Sequence, residues 1–452
     1  MFMTLSGSTP RQAEAAAYGE RPLAATDGAA ARAGGNELYG YLPYWEMNST
    51  MADYVAGLPL TDLELFSVSA GKNGGLHKSE IGYRRITGAI GTRLISEAHA
   101  RGQRVQLVFT SFTFEKNTPF FGRASLESID DRRGVQTLAT PARSATLPWR
   151  RTARELVALA VQLGVDGIDV DVEQIRGDSY EGYTAFLGDL RARLDAAIPG
   201  AKLTVATTAN QAGADLARAA IAGGVDRVFL MGYEYHWSGS DPGASAPIVR
   251  IDDSNLSLTS TIVAYAEAGV PPDQTILGLP LFGMSWTVAT PSPFAERLAP
   301  GVHWFPSNHL AELTAPGFET WFDWPETVEF VATPIVPKAS PGASPAPGSS
   351  PAPGESLGPV ASPAPGASPV PGASPLPGAS PLPPVPTTWQ AIFYDSPRTL
   401  RPKLALAVTS GFAGAGFWAI GYERGLPGYI GLMADFHAGL VTTAPPMSLE
   451  ER

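Results

Sequence analysis

The chain contains no cysteine. That excludes a disulfide framework, a thiolate metal site and a cysteine nucleophile, and it leaves the redox compartment open. Basic residues are in deficit as well, with 32 Lys and Arg against 43 Asp and Glu and a formal charge of −11. Nucleic acid and anionic membrane both demand a basic field, so neither is an expected partner. No stretch approaches the roughly 18 uninterrupted apolar residues of a membrane span. Residues 1–35 are Ala-rich, weakly apolar and read as disordered; they lack the basic segment followed by about 7 to 15 apolar residues that marks a signal peptide. On that reading the chain is either cytoplasmic, or truncated or misassigned at its start. His77, His99, His236, His303, His309 and His437 show no i, i+4 pairing or other ligand spacing. They read as core or surface residues, and neither a metal nor a cofactor is expected.

What is present narrows the choice. A chain of 452 residues can hold one large barrel or two to three ordinary domains. Its 44% hydrophobic and 17% charged content supports a substantial core, and its 48 Gly and 42 Pro point to a separate low-complexity segment. The stretch Gly164-Val-Asp-Gly-Ile-Asp-Val-Asp-Val-Glu-Gln174 reads as a buried strand. Alternation puts Asp169, Asp171 and Glu173 on one face and Ile168, Val170 and Val172 on the other. Same-face carboxylates about 7 Å apart repel one another, so at least one proton is held above its ordinary range, as a general acid requires. The rival readings are a solvated edge strand and a metal cluster. An unbroken aliphatic opposite face argues against the first, and the absence of the glycine and later glutamate of an EF-hand loop argues against that form of the second.

Asp166-x-x-Asp169-x-Asp171-x-Glu173 resembles the D-x-x-D-x-D-x-E signature of glycoside hydrolase family 18, the chitinase-like enzymes. The resemblance implies a (β/α)8 TIM barrel, and the rest of the chain can be read against it. Strand-like runs occur at Glu37–Trp45, Leu63–Ala70, Arg104–Ser111, the acidic stretch, Lys202–Thr207, Val225–Tyr233 and Gln274–Leu281, with amphipathic helical patterns between them. Asp178-Ser-Tyr-Glu181 reads as a capping box for one of those helices. Seven βα units leave a parallel barrel one strand short. The missing strand is read at Gly414–Gly421, beyond the Pro/Ala/Ser/Gly repeats of 338–387, with a helix at about Thr399–Thr409 before it and one at Tyr429–His437 after it. The tract is therefore read as a long insertion between strands 7 and 8 of one α/β barrel domain over 36–440, followed by a tail at 441–452. Loop-closure entropy grows only logarithmically, so such an excursion is tolerable.

The resemblance also implies a site. Glu173 is the expected acid, with Asp171 and Asp169 successively deeper on the same strand. Met231-Gly-Tyr233-Glu234 resembles the family's M-x-Y-D, with Glu234 where aspartate is usual. Trp418 matches the tryptophan that floors the first sugar subsite, and Leu279-Pro-Leu-Phe282-Gly-Met-Ser-Trp286 resembles the seventh-strand text. Tyr41, Tyr44 and Trp45 are candidate sugar contacts or strand-end core. Thr110-Ser-Phe-Thr113 departs from the family's S-x-G-G. The implied mechanism is retaining hydrolysis assisted by the substrate's own acetamido group, with Glu173 as acid/base, Asp171 orienting the N–H, Tyr233 hydrogen-bonding the carbonyl and Asp169 sharing a proton with Asp171. The implied partner is a polysaccharide containing N-acetylglucosamine, bound by a monomer, with an extracellular or cell-wall setting. Asp-Val-Glu-Gln-Ile175 with Tyr183-Thr-Ala-Phe-Leu187 looks like the bacterial spore-cortex and cell-wall branch. A non-catalytic sugar-binding barrel, and a metal-dependent glycosyltransferase using Asp169-x-Asp171, are the alternatives.

Overall fold

Alternating residues in a strand face opposite ways, and a parallel strand needs a helix to bring the chain back to its starting end. This chain repeats that unit until the sheet closes. The structure is a computed structural model that describes residues 35–122, 147–323 apart from 251–253 and 255, 326–335, and 388–441. Strands β1 (Glu37–Pro43), β2 (Asp62–Ser69), β3 (Arg104–Ser111), β4 (Gly167–Val172), β5 (Lys202–Thr208), β6 (Arg227–Met231) and β7 (Thr275–Pro280) pair in parallel, each with the next. The chain then leaves the ring for an antiparallel sheet made of β8 (Gly283–Val288), β9 (Val302–Trp304), β10 (Trp321–Asp323), β11 (Val328–Ile335) and β12 (Thr388–Tyr394). It returns as β13 (Gly414–Trp418), which pairs with both β7 and β1 and closes an eight-stranded barrel.

The expected barrel strands all form, with ends that match or differ by one to three residues. Asp178 to Glu181 does not form the expected capping box: a 3-10 turn at Gly177–Ser179 leads into the helix Tyr180–Ala197, and Ser179 makes no side-chain cap bond. The five-stranded sheet was not anticipated. It changes the placement of Trp286, which lies on β8 opposite Ala391 of β12 and is 1% exposed against Phe393. The tract 338–387 and the terminal segments 1–34 and 442–452 lie outside the described residues. Among the described residues no helix is long and apolar enough to cross a membrane.

Faces of β4 separate by chemistry as its alternation requires. Ile168, Val170 and Val172 join the outer core with Leu156, Ala160, Phe186 and Leu190, which come from the helices Trp149–Leu163 and Tyr180–Ala197. Gly164 ends the first of these in a left-handed turn (φ +71), so the chain can enter the strand at once. The barrel interior is filled in layers. At its floor Lys202 Nζ donates to Glu37 Oε2 at 2.7 Å, to the Tyr39 hydroxyl at 2.8 Å and to Asp62 Oδ1 at 3.3 Å, while Arg104 grips Asp62 and Arg227 grips Glu37. Above it, Gln106 donates to Glu64 at 2.7 Å and Thr204 donates to Gln106 at 3.0 Å. Tyr41, Phe66, Val108, Ala206, Phe229 and Ile276 form an apolar layer under the mouth. Outside the ring, Lys403 and Asp395, for which the sequence suggested no role, form a buried ion pair at 2.5 Å that ties the end of β12 to the helix Pro397–Thr409.

The floor carries a stability prediction. Burial pushes the Glu37 carboxyl up, but Arg227 and Lys202 outweigh that and hold it at about 2, below its ordinary 4.5. A depressed carboxyl contributes stability that is present above its unfolded value and is lost as pH falls through the folded one. Lys202→Met is expected to cost about 3 kcal/mol, as breaking a buried pair does. It should also flatten the acid loss of stability between pH 4.5 and about 2. Urea midpoints measured across that range would check both effects.

Candidate active site

Glu173 follows β4 directly, so its side chain stands at the C-terminal mouth of the barrel, where catalytic groups of this architecture collect. Its backbone is pinned on both sides: the Glu173 N–H donates to the Ser111 carbonyl at 3.1 Å, and Asn117 Nδ2 donates to the Glu173 carbonyl at 2.6 Å. Asn117 is fully buried and is itself fixed by the Ser111 hydroxyl at 2.7 Å. Asp171, two residues earlier, is 6% exposed and pairs in register with Thr110 of β3 and Ala206 of β5. Asp169 lies below it, fully buried, and accepts from the Tyr41 hydroxyl across the barrel at 2.6 Å.

These acids open into a cleft of about 760 Å³ lined by Asp171, Glu173, Met231, Tyr233, Glu234, Phe282, Trp45 and Trp418 from the expected set, together with Tyr44. Trp418, at the end of β13, packs edge-on against Phe66 at 4.6 Å and Trp45 at 6.3 Å and lies 6.0 Å from Tyr41. Trp45 is 45% exposed, and its indole N–H donates to the Tyr422 hydroxyl at 3.2 Å, so a flat apolar surface is presented at a fixed angle. Two expected contacts do not line the cleft. Tyr41 is 3% exposed beneath Trp418, where it serves Asp169, because residues 39 and 41 both point into the filled barrel. Trp286 belongs to the core of the second sheet, because the chain turns out of the barrel immediately after Phe282.

Burial is the main reason the acids bind protons strongly. It lifts Asp169 to about 7, against the opposing hydrogen bonds from Tyr41 and the Val170 backbone. Burial also lifts Asp171, reinforced by the charges of Glu173 and Asp169, and it lifts Glu173, reinforced by Glu234. One oxygen each of Asp169 and Asp171 is buried with no hydrogen-bond donor among the described residues. A carboxyl of raised proton affinity at an open mouth, above a second buried carboxyl with an oxygen that has no donor among the described residues, is suited to acid catalysis on a bond whose substrate develops positive charge.

Comparison with known proteins decides the family. Residues 148–423 match the family described as glycosyl hydrolases family 18. The chain belongs to that family. A cortical fragment-lytic enzyme of Bacillus anthracis is 27% identical over 152 residues, 32% of this chain and 32% of its own length. Chitinase A1 of Niallia circulans is 31% identical over 147 residues, 27% of this chain and 21% of its own length. The chain thus spans less than a third of the length of these curated relatives. Among solved structures, the Bacillus cereus spore cortex-lytic enzyme SleL aligns with a TM-score of 0.56 at 15% identity, over 90% of this chain and 74% of that one. A chitinase from Chromobacterium violaceum aligns at 0.57 and 15%, over 90% and 99%. At such identity the structures establish the barrel fold alone. Membership in family 18 places the chain among glycosidases, with relatives in the spore-cortex branch as its text suggested.

Within the family 18 frame, the cleft also contains residues that the motifs did not mark. Phe66, Ser67 and Ser69 come from β2, Thr110 from β3, Phe112 from the loop after β3, and Ser79 to Gly82 from the turn before the helix Ile81–Ile86 and its first two residues. Thr110 stands where the S-x-G-G text is absent, within 3.3 Å of the Ser67 hydroxyl. The sequence signal of Phe66, Ser67, Ser69, Thr110 and Phe112 is position, at or just past the C-terminal end of a strand; Ser79 to Gly82, at the start of a helix, have none.

Proposed function

We propose that this chain hydrolyses β-1,4-linked N-acetylglucosamine polymers of the chitin or peptidoglycan type, with retention of configuration and without a protein nucleophile. The observation that carries the reading is the inward row Asp169, Asp171, Glu173, rising from full burial to an open mouth beside Tyr233 and Trp418. Glu173, whose proton affinity burial and Glu234 raise, gives its proton to the glycosidic oxygen as the bond from that oxygen to the anomeric carbon breaks. The acetamido carbonyl oxygen of the same sugar attacks that carbon from the opposite side and forms a cyclic cation, the scheme by which family 18 differs from glycosidases with two working carboxylates. Asp171 accepts the acetamido N–H and offsets the positive charge. Tyr233, whose proton is held tightly by burial and by the charges of Asp171 and Glu173, donates to the acetamido oxygen. Water then attacks the anomeric carbon, Glu173 takes its proton, and the ring reopens with the original configuration restored. Asp169, underneath, holds the proton that Asp171 gives up when it becomes charged.

Every step needs the acetamido group. The enzyme is therefore expected to cleave N-acetylglucosamine tetramer and to leave the matching β-1,4-glucan tetramer untouched, as read by product chromatography. Equal turnover of the two would reject substrate assistance. Running purified cell wall beside chitin oligomers in the same assay separates the two polymer types.

A further inference from the structure

The second sheet reaches the rim of the cleft, where His303 meets Glu234, one of the residues that line it. His303 sits on β9, opposite Met284 of β8, and its Nε2 lies 2.9 Å from Glu234 Oε1. Its ring is held edge-on to Phe282 at 5.0 Å and stacked with Phe305 at 6.4 Å. Phe282 and Glu234 both line the cleft. Glu234 is held in a costly backbone conformation, left-handed at φ +60, with its N–H fixed by the Ser245 hydroxyl at 3.0 Å. A non-glycine residue accepts such strain, on the order of 1 kcal/mol or more, where a side chain must be aimed. At about half exposure a glutamate side chain otherwise keeps most of its rotamer freedom.

We propose that His303, supplied by the five-stranded sheet, is a positioning residue for the glycosidase reaction: it clamps the Glu234 carboxylate at the mouth of the cleft, facing the sugar bound over Glu173. The inference rests on the proposed role of Glu173. The titratable groups at the cleft are Asp171 and Glu173 from β4 and its end, Tyr233 and Glu234 from the end of β6, Tyr44 after β1 and Glu80 before the helix Ile81–Ile86, with His303 of β9 against Glu234. Among the described residues that line the cleft, none is Lys or Arg. Glu234 raises the proton affinity of Glu173 by like-charge repulsion. The hydrogen bond between the His303 ring and Glu234 offsets part of that charge, so the clamp and the acid are electrically linked.

The test uses the full chain and the variants His303→Ala, Glu234→Gln and the two together. The Glu173 carboxyl is titrated by carbon NMR, with Glu173→Gln to assign it, and kcat/KM is measured on N-acetylglucosamine tetramer. His303→Ala should move the Glu173 midpoint up by about half a pH unit and Glu234→Gln should move it down by a similar amount. Adding His303→Ala to Glu234→Gln should change nothing further, since the histidine acts only through the glutamate. kcat/KM should fall about 10-fold in His303→Ala and by no more in the double variant than in Glu234→Gln alone. A Glu173 midpoint unmoved by His303→Ala, or losses that multiply in the double variant, would overturn the clamp. Turnover retained in Glu173→Gln would instead overturn the acid assignment, and the titration would still judge His303 by itself.

Discussion

Glu173→Gln is expected to lower kcat on N-acetylglucosamine oligomers by about 10²- to 10⁴-fold, the range that positioned proton transfer supplies. The amide matches the carboxyl in shape and keeps the backbone anchors at Ser111 and Asn117, so oligomer affinity should stay close to wild type. Isothermal titration with the tetramer, beside initial-rate kinetics, would show the split. Loss of both binding and rate would indicate a collapsed cleft and leave the assignment unsupported, while retained rate would reject it. The pH profile adds a second signature. A general acid must carry its proton at rest, and burial together with Glu234 raises the Glu173 carboxyl above its ordinary range. Activity is therefore present below that raised value and fails as pH rises through it, so the alkaline limb of kcat/KM should lie above the usual carboxylate range. Glu234→Gln should pull that limb down.

Much of this site was legible because a strand has a period of two. The spacing Asp169-x-Asp171-x-Glu173 fixes three carboxyls on one face whatever the surroundings, and the aliphatic alternates force that face inward. The helices and turns between strands have an equally local signature, which is why the parallel ring could be counted before it was seen. The second sheet had no such signature. Its strands β9 and β10 are three residues long, and its partners β11 and β12 are separated in sequence by the residues between Ile335 and Thr388. Pairing over that distance leaves no trace in either segment alone. Trp286 was misplaced for the same reason: adjacency to a barrel strand in sequence says nothing once the chain turns away at Gly283. Tyr41 shows the opposite limit. Its inward direction follows from alternation, but whether an inward ring touches sugar or supports an acid depends on its depth in the barrel, which is set by register with β2 and β13. His303 meets Glu234, and Asn117 meets Ser111 and Glu173, across element boundaries, and such contacts carry no local signature.

Replacing Asp171 should separate charge from shape. Asp171→Asn keeps the size of the side chain at its place between Thr110 of β3 and Ala206 of β5. What it removes is the negative charge that faces the cyclic cation formed during the first step. Buried electrostatic groups of this kind contribute about 10²- to 10³-fold to kcat, and a loss of that size is expected here. In the wild type, Asp171 Oδ1 is buried without a donor among the described residues, so an acceptor is already in place for the acetamido N–H. The amide can still accept that bond through its oxygen, so KM should move less than kcat. Asp169→Asn is the informative companion. Asp169 is deeper and accepts the Tyr41 hydrogen bond; in the proposed scheme it acts by exchanging a proton with Asp171, so its loss should be smaller and should narrow the pH profile rather than flatten it. If Asp171→Asn retained kcat within about tenfold of wild type, the charge in the row would not be stabilising the reacting sugar. The cation would then have to be balanced by Glu173 alone, which cannot both donate its proton and carry the opposing charge before the glycosidic bond has broken.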